Sequence, residues 1–300
     1  MNILIVGGNG FLGSSCANKL AENNTVYIID NGTPRECLSS KICYFRNNLT
    51  NLEEIIKIIE LYKIEIIIHF VSSLLPSSTE EDYLLDISNV YLPTVKLLSF
   101  CSKKNVKFVY ISSGGAVYGN QHEVFNENTK CEPVSYYGLS KLNFENAIKY
   151  FHNLANLDYL IIRPSNPYGP GQNINGSQGV IAVLMGKILK QEPFQIWGDG
   201  TAIKDYIYID DFVKYLEKLI YSNNWNHIYN VGTGIGYSVN DVIEVFLKNK
   251  IELPKIEYIS AKRTDVKRMV LDCSKIQEAF PSKNITLEDG IQRFYNFVKE

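Results

Sequence analysis

Neither sign of charge prevails in this 300-residue chain: 30 Lys and Arg face 32 Asp and Glu, a formal net charge of −2. There is thus no electrostatic case for nucleic acid or an anionic membrane surface as a partner. No apolar run approaches a membrane span. The N-terminus has no basic segment followed by a longer apolar one, so a secretory signal is not expected, and Met1 to Val6 reads instead as a strand entering glycines. The six cysteines, Cys16, Cys37, Cys43, Cys101, Cys131 and Cys273, form no C-x-x-C pair. None stands near a histidine at ligand spacing, and the four histidines, His69, His122, His152 and His227, are scattered. A reduced cytosolic compartment without a metal site is the expectation. Internal repeats and low-complexity tracts are also missing. The 45% hydrophobic content is ordinary for a globular protein. The length allows one large domain or two modest ones.

The first half alternates short apolar runs with helical periods. Strands are expected at Asn2–Val6, Thr25–Ile29, Glu65–Phe70, Lys107–Ile111 and Asp158–Ile162. Helices are expected at Phe11–Glu22, Leu52–Tyr62, Ser88–Lys104 and Tyr136–Ala155. Continuous apolar strands separated by helices predict an α/β fold, a parallel sheet covered on both faces. Right-handed crossovers make it doubly wound. After Arg163 the texture changes. Arg163-Pro-Ser-Asn-Pro-Tyr-Gly-Pro-Gly171 excludes regular helix and a central strand, and is read as the crossing into a smaller α/β domain. The expected division is residues 1–165 for the first domain, with a return near 204–228. Residues 166–203 and 229–300 then make the second. Asp205–Tyr221, a strand then a helix, is the segment expected to rejoin the first sheet.

Gly7-Gly8-Asn9-Gly10-Phe11-Leu12-Gly13 ends the first strand and opens the first helix. In such a turn the first glycine permits the bend. Gly10 lets backbone approach a pyrophosphate, and Gly13 lets helix and strand pack closely. The helix start presents free N–H groups and a positive dipole end. Asp30 closes the second strand, where a carboxylate accepts from adenosine ribose hydroxyls and repels a 2′-phosphate. The pattern predicts a Rossmann domain that binds NAD in preference to NADP.

Tyr137 and Lys141 lie four residues apart where the chain turns helical, and so share a helix face. An ammonium beside a phenol favours the phenolate, lowering its pKa from about 10 toward neutrality. Such a tyrosine takes a proton from an alcohol at cellular pH.

Together these features resemble the extended short-chain dehydrogenase/reductase family, and within it the nucleotide-sugar epimerases and dehydratases. The likeness runs through Asp30-Asn31, His69, Ile111-Ser-Ser-Gly-Gly-Ala-Val-Tyr-Gly119, Tyr137 with Lys141, and Arg163-Pro-Ser-Asn-Pro-Tyr-Gly. It continues through Trp197-Gly-Asp-Gly, Lys204-Asp-Tyr-Ile-Tyr-Ile-Asp-Asp, Tyr229-Asn-Val-Gly, and Arg263-Thr-Asp265 to Leu271-Asp272. The resemblance implies that Lys141 also bonds the nicotinamide ribose. The turn residues Gly7, Gly10, Phe11, Leu12 and Gly13, then Asp30, Asn31, Asn48, Leu49, Val71 and Pro164, complete the cofactor set. It implies substrate contacts from Ser113, Gly114, Asn166, Val180, Gln195, Trp197, Lys204, Lys262, Arg263 and Asp265, with Met269 beside the sugar.

Departures from the family pattern are informative. The usual Ser or Thr beside the catalytic tyrosine aligns with Gly114, preceded by Ser112 and Ser113. The usual arginines align with Lys204 and Lys262, which keep the charge and lose bidentate phosphate geometry. The usual asparagine is Val90, with Asn89 one place off. The adjacent Asp and Glu of a dehydratase are Gly115 and Ala116, leaving no acid to protonate a leaving hydroxide. The resemblance therefore implies epimerisation of a UDP-linked hexose through a transient 4-keto sugar, with NAD as cofactor. A polysaccharide-sugar pathway and a cytoplasmic homodimer accord with the family. A reductase of a nucleotide 4-keto-6-deoxysugar using NAD(P)H is one alternative, and a non-catalytic NAD-sensing scaffold another. His69 reads as a buried strand-end residue and Tyr136 as packing. Ser112 and Ser113 read either as backbone partners near the cofactor or, for Ser113, as a catalytic group.

Overall fold

A computed structural model describes residues 1–120, 124–260 and 267–300. It divides the chain into two compact units. One comprises Met1–Gly119, Lys130–Arg163 and Val213–Tyr229; the other comprises Asn120–Thr129, Pro164–Phe212 and Asn230–Glu300.

In the first unit the strands are β1 (Asn2–Val6), β2 (Thr25–Asp30), β3 (Cys43–Arg46), β4 (Ile66–His69), β5 (Lys107–Ile111) and β6 (Tyr159–Pro164). The helices between them are α1 (Phe11–Leu20), α2 (Leu52–Leu61), α3 (Glu80–Asp86), α4 (Leu92–Lys104), the short α5 (Gly114–Val117) and the long α6 (Tyr136–Ala155). With β10 (His227–Val231) they form a seven-stranded sheet in the order β10-β6-β5-β4-β1-β2-β3. The pairs from β6 through to β3 are all parallel. Ile3, Leu4, Ile5, Ile67, Ile68, Phe108, Val109, Leu160 and Ile161 are fully buried, as continuous apolar strands under helices on both faces require.

The chain adds strands outward from β1 to β3 and then from β4 to β6 on the other side. The order thus reverses between β1 and β4, and a crevice opens there beyond the strand ends. The turn after β1 and the segment after β4 meet in it. A Cβ on Gly7 would lie 2.8 Å from the Val71 backbone nitrogen.

Three expectations need correction. The helix read at Ser88–Lys104 is α4 preceded by a π-helical turn, Ile87–Tyr91, continuous with α3. Apolar periodicity at 3.6 residues does not register a turn that holds an additional residue. The strand β3 and the helix α3 fall outside the expected elements. β3 is short and only partly buried, so its pattern is weak; α3 is set by the Thr79–Asp82 capping box. Finally, β9 (Ile203–Tyr208) does not rejoin the first sheet. It pairs with β7 (Asn166–Tyr168), β11 (Gly236–Ser238) and β13 (Arg268–Met269). The strand that does rejoin is β10. A short run of buried residues identifies a strand and not its neighbour.

The second unit also holds β8 (Phe194–Trp197) paired with β12 (Ile256–Ile259), and the helices α7 (Val180–Lys190) and α9 (Val239–Lys248). Pro167 lies in β7, which pairs only with β9. An edge strand is where a residue without an N–H is tolerated. The helix α8 (Ile209–Tyr221) follows β9 directly.

Candidate active site

The glycine turn is built by close approach of backbone to backbone. Gly7 adopts φ +79°, a conformation strained for residues with a Cβ. A Cβ on Gly13 would lie 2.7 Å from the Gly7 carbonyl oxygen, so the third glycine lets α1 seat on the turn. Gly10 differs: a Cβ there would meet nothing nearer than the Gly7 oxygen at 3.8 Å. Its lack of a side chain serves a group that sits against the turn. Gly10 is the N-cap of α1, no side chain caps the helix, and its first turn carries no acid. Those N–H groups are thus free for a phosphate. At the end of β2, Asp30 accepts from the backbone N–H of Asn9 (3.1 Å) and of Gly32 (2.9 Å). The remaining lone pairs can accept from ribose hydroxyls. These residues fit a dinucleotide with a free adenosine ribose. Asn48, next to the buried Leu49, accepts at Oδ1 from the Thr50 N–H and hydroxyl. Its amide NH₂ can still serve as a donor.

The second cluster gathers on α6. Ser135 caps the helix by accepting from the Gly138 N–H. A Cβ on Gly138 would lie 2.4 Å from the Ala116 carbonyl oxygen, so only glycine lets the start of α6 press onto α5. That contact carries Tyr137 toward the α5 N-cap, Ser113. The Ser113 hydroxyl makes no capping bond, and it acts to lower the Tyr137 pKa against the effect of burial. Ser113 is the N-cap of α5, and Gly114 is its buried first residue.

Lys141, one turn along, is buried and donates from Nζ to the Ile111 carbonyl oxygen at 2.9 Å. Its Nζ lies 5.7 Å from the Tyr137 ring centroid and 5.1 Å from that of Tyr110. Burial lowers the Lys141 pKa to about 8, with the charges of Asp86 and Glu145 opposing the shift. The lysine is therefore largely cationic at neutral pH. The expected fall of the Tyr137 pKa is not seen. Burial raises it, and Ser113 works in the opposite direction. Desolvation of a phenolate outweighs one neighbouring hydroxyl when the nearest ammonium is committed to a carbonyl.

Several members of this buried cluster are not among the site residues expected from sequence. Asp86 is buried and accepts from Ser140 (2.6 Å) and from Ser73. Glu145 is fully buried and accepts from the Ser112 hydroxyl at 2.6 Å. It also forms a two-pronged pair with Arg163, at 2.9 and 2.6 Å. Arg163 then donates to the Tyr118 hydroxyl at 2.8 Å. The spacing Tyr137, Lys141, Glu145 repeats every four residues and so places Glu145 on the same helix face as the other two. That was the available clue. His69 is fully buried between Phe108, Tyr110 and Phe144, with Nε2 3.0 Å from the Thr94 hydroxyl. Burial, helped by the Lys141 charge, lowers its pKa to about 3, so it is neutral and structural. Tyr136 stacks on Tyr83, as packing predicts.

In the second unit, Asn166 donates to the Asp205 carbonyl oxygen at 2.8 Å. Gln195 and Trp197 share the exposed face of β8, while Phe194 and Ile196 are buried. Val180 begins α7, Lys204 lies in β9, and Met269 is buried in β13 opposite Lys204. Lys262, Arg263 and Asp265 lie outside the described residues. Among those described, no cluster of His, Cys, Asp and Glu could hold a metal ion, and no helix is long and apolar enough to cross a membrane.

Comparison with known proteins agrees with this construction. A protein of Methanocaldococcus jannaschii, provisionally named a UDP-glucose 4-epimerase, is 33% identical over 99% of this chain and 98% of its own. The dTDP-4-dehydro-6-deoxyglucose reductase of Escherichia coli is 26% identical over 99% of this chain and 97% of its own. The structure of the Thermotoga maritima UDP-glucose 4-epimerase with UDP-glucose superposes with a TM-score of 0.92 at 29% identity, covering 100% of this chain and 99% of that one. The Thermus thermophilus UDP-glucose 4-epimerase with NAD gives 0.92 at 26% identity, over 100% and 99%. The family model for the NAD dependent epimerase/dehydratase family matches residues 3–232. The glycine turn, Asp30 and the Ser113–Tyr137–Lys141 cluster fall within that span: the chain belongs to the NAD-dependent epimerase/dehydratase family, and its cofactor is NAD.

Proposed function

We propose that this protein is a 4-epimerase of a UDP-linked hexose. The observation that carries the proposal is the pair on α6: buried Lys141, bonded to the Ile111 carbonyl oxygen, has its Nζ 5.7 Å from the Tyr137 ring centroid, and Ser113 acts on the same phenol. A hydroxyl beside the phenol is what an alcohol proton needs on its way to the tyrosine. Tyr137 takes the proton of the sugar 4-hydroxyl, and Ser113 orients that hydroxyl. Lys141, cationic below a pKa of about 8, keeps a positive charge on the same helix face. NAD held by the glycine turn and Asp30 would supply the reversible hydride acceptor for the sugar carbon, so no cofactor would be consumed. Between the two transfers the 4-keto sugar turns over while its nucleotide stays held. Gln195 and Trp197 on one face of β8 suit the base. Asn166, Val180, Lys204 and the chain through Lys262, Arg263 and Asp265 serve the diphosphate and sugar. Gly115 and Ala116 supply no acid, which argues against dehydration. Exposed Leu84, Leu85, Leu92, Tyr150 and Leu154 on α3, α4 and α6 suit a homodimer contact.

A second reading, a reductase of a nucleotide 4-keto-6-deoxysugar, is favoured by the full-length likeness to the E. coli reductase. Incubation with UDP-glucose, UDP-galactose and their N-acetyl forms separates the two. An isomer formed without net change in NADH supports the epimerase. Turnover only of a keto sugar with added reductant supports the reductase. Tyr137→Phe should lower either activity by about 10²–10⁴-fold with NAD still bound. Unchanged turnover in that variant would sink both.

A further inference from the structure

Four charged side chains are buried in the first unit near α6: Asp86 at 3% exposure, Lys141 at 5%, Glu145 at 0% and Arg163 at 1%. Two are anions and two are cations, so the set is neutral as a whole. The pairing within it is uneven. Glu145 is saturated by Arg163, which grips both its oxygens, and it also accepts from Ser112. A carboxylate held by a bidentate guanidinium has little charge left to offer elsewhere. Asp86 has the opposite surroundings. Among the described residues its two oxygens accept only from neutral hydroxyls, Ser73 on one and Ser140 on the other. Two neutral donors solvate a carboxylate and leave its charge unbalanced. Ser140 immediately precedes Lys141 on α6, so the bond from Ser140 ties Asp86 to the backbone that carries the lysine.

We infer that Asp86 is the counter-ion of Lys141, and that it acts as a positioning residue keeping the ammonium charged inside the pocket. The other groups around the lysine do not compete for this role. Tyr137 shares its helix face and Tyr110 stands beneath it on β5, both as neutral phenols. His69 on β4 is neutral, and Arg163 is committed to Glu145. The electrostatic influence of Asp86 on Lys141 runs in the same sense, upward. Asp86 also reaches Ser73, two residues beyond Val71 at the glycine turn. One carboxylate thus links the segment beside the cofactor turn to the helix of the proton-transfer pair. The inference rests on reading Tyr137 and Lys141 as that pair, but its test does not depend on turnover.

The test follows the Lys141 side-chain carbon resonance against pH in lysine-labelled protein, assigned with Lys141→Arg. Asp86→Asn keeps an acceptor for one serine and removes the charge. The Lys141 midpoint should fall by about one unit or more below its starting value. Glu145→Gln should move it less. A midpoint unmoved in Asp86→Asn, or moved further by Glu145→Gln, overturns the inference. If Asp86→Asn does not fold, the double variant Asp86→Asn, Lys141→Met should fold, because it leaves no unpaired charge from that couple. A double variant no more stable than Asp86→Asn alone overturns it equally. Failure of every UDP-hexose as substrate would refute the proposed activity and leave the lysine titration unaffected.

Discussion

The glycine turn after β1 and the pocket under α6 lie in the same unit, yet they are made in opposite ways. The turn is made by leaving side chains out. Its working groups are backbone N–H donors, and its members are consecutive, Gly7 to Gly13. The pocket is made by burying side chains that water would rather keep. Its members, His69, Asp86, Lys141, Glu145 and Arg163, come from β4, α3, α6 and β6. Damage should therefore differ in kind. In the pocket, changes should fall on folding stability, because a buried charge or imidazole is tolerated only with its partners. At the turn, a change where space is open should fall on cofactor binding.

Acid should expose the largest effect. His69 is neutral in the fold with a pKa near 3, whereas an unfolded histidine titrates near 6.5. Between those values the unfolded chain binds the additional proton, so stability rises with pH and is lost as pH falls from 6.5 toward 3. The loss attributable to this one group is on the order of 4 kcal/mol. His69→Leu should flatten that limb in denaturation curves collected from pH 7 to 4; an unchanged slope would show that the imidazole is not held neutral.

Next in size is Arg163→Ala. It strands the fully buried Glu145 and should destabilise by about 3–5 kcal/mol in urea titration. The paired change Arg163→Met, Glu145→Leu should recover much of that loss. If the single variant costs under about 1 kcal/mol, the ion pair is not isolated from water as its burial indicates.

The turn offers the contrast. Gly13→Ala should destabilise by about 1–3 kcal/mol, because its Cβ would meet backbone at 2.7 Å, where nothing can move aside. Gly10→Ala should leave the melting temperature almost unchanged, since only an oxygen at 3.8 Å faces it. It should still weaken NAD binding about tenfold or more, measured by calorimetry, a loss of roughly 1.4 kcal/mol. Equal NAD affinity in Gly10→Ala would mean that the pyrophosphate does not sit against this glycine.

The turn was legible because its meaning is local. Strand, glycine spacing, helix start and Asp30 all lie within 30 residues, and each has a conformational reason. Tyr137 and Lys141 were legible for the same reason, as two residues on one helix face. What they do to each other was not. Lowering of the tyrosine pKa was expected from spacing, but burial raises it, and Ser113 rather than Lys141 supplies the opposing influence. Likewise the approach of α6 to α5, which Gly138 permits, could not be read from the order of residues. The placing of β9 in the second sheet was hidden because a short apolar run marks a strand and not its partner.

The sequence by itself determined the alternation of strand and helix, the dinucleotide turn and the identity of the tyrosine and lysine. Those are encoded in short-range spacing and in what glycine alone permits. Only the tertiary structure decided which carboxylates surround the lysine, that Glu145 belongs to Arg163, and that Asp86 is left with two serines. Charge pairing in a buried pocket depends on distance through space and on exclusion of water, and neither is written in the order of residues along the chain.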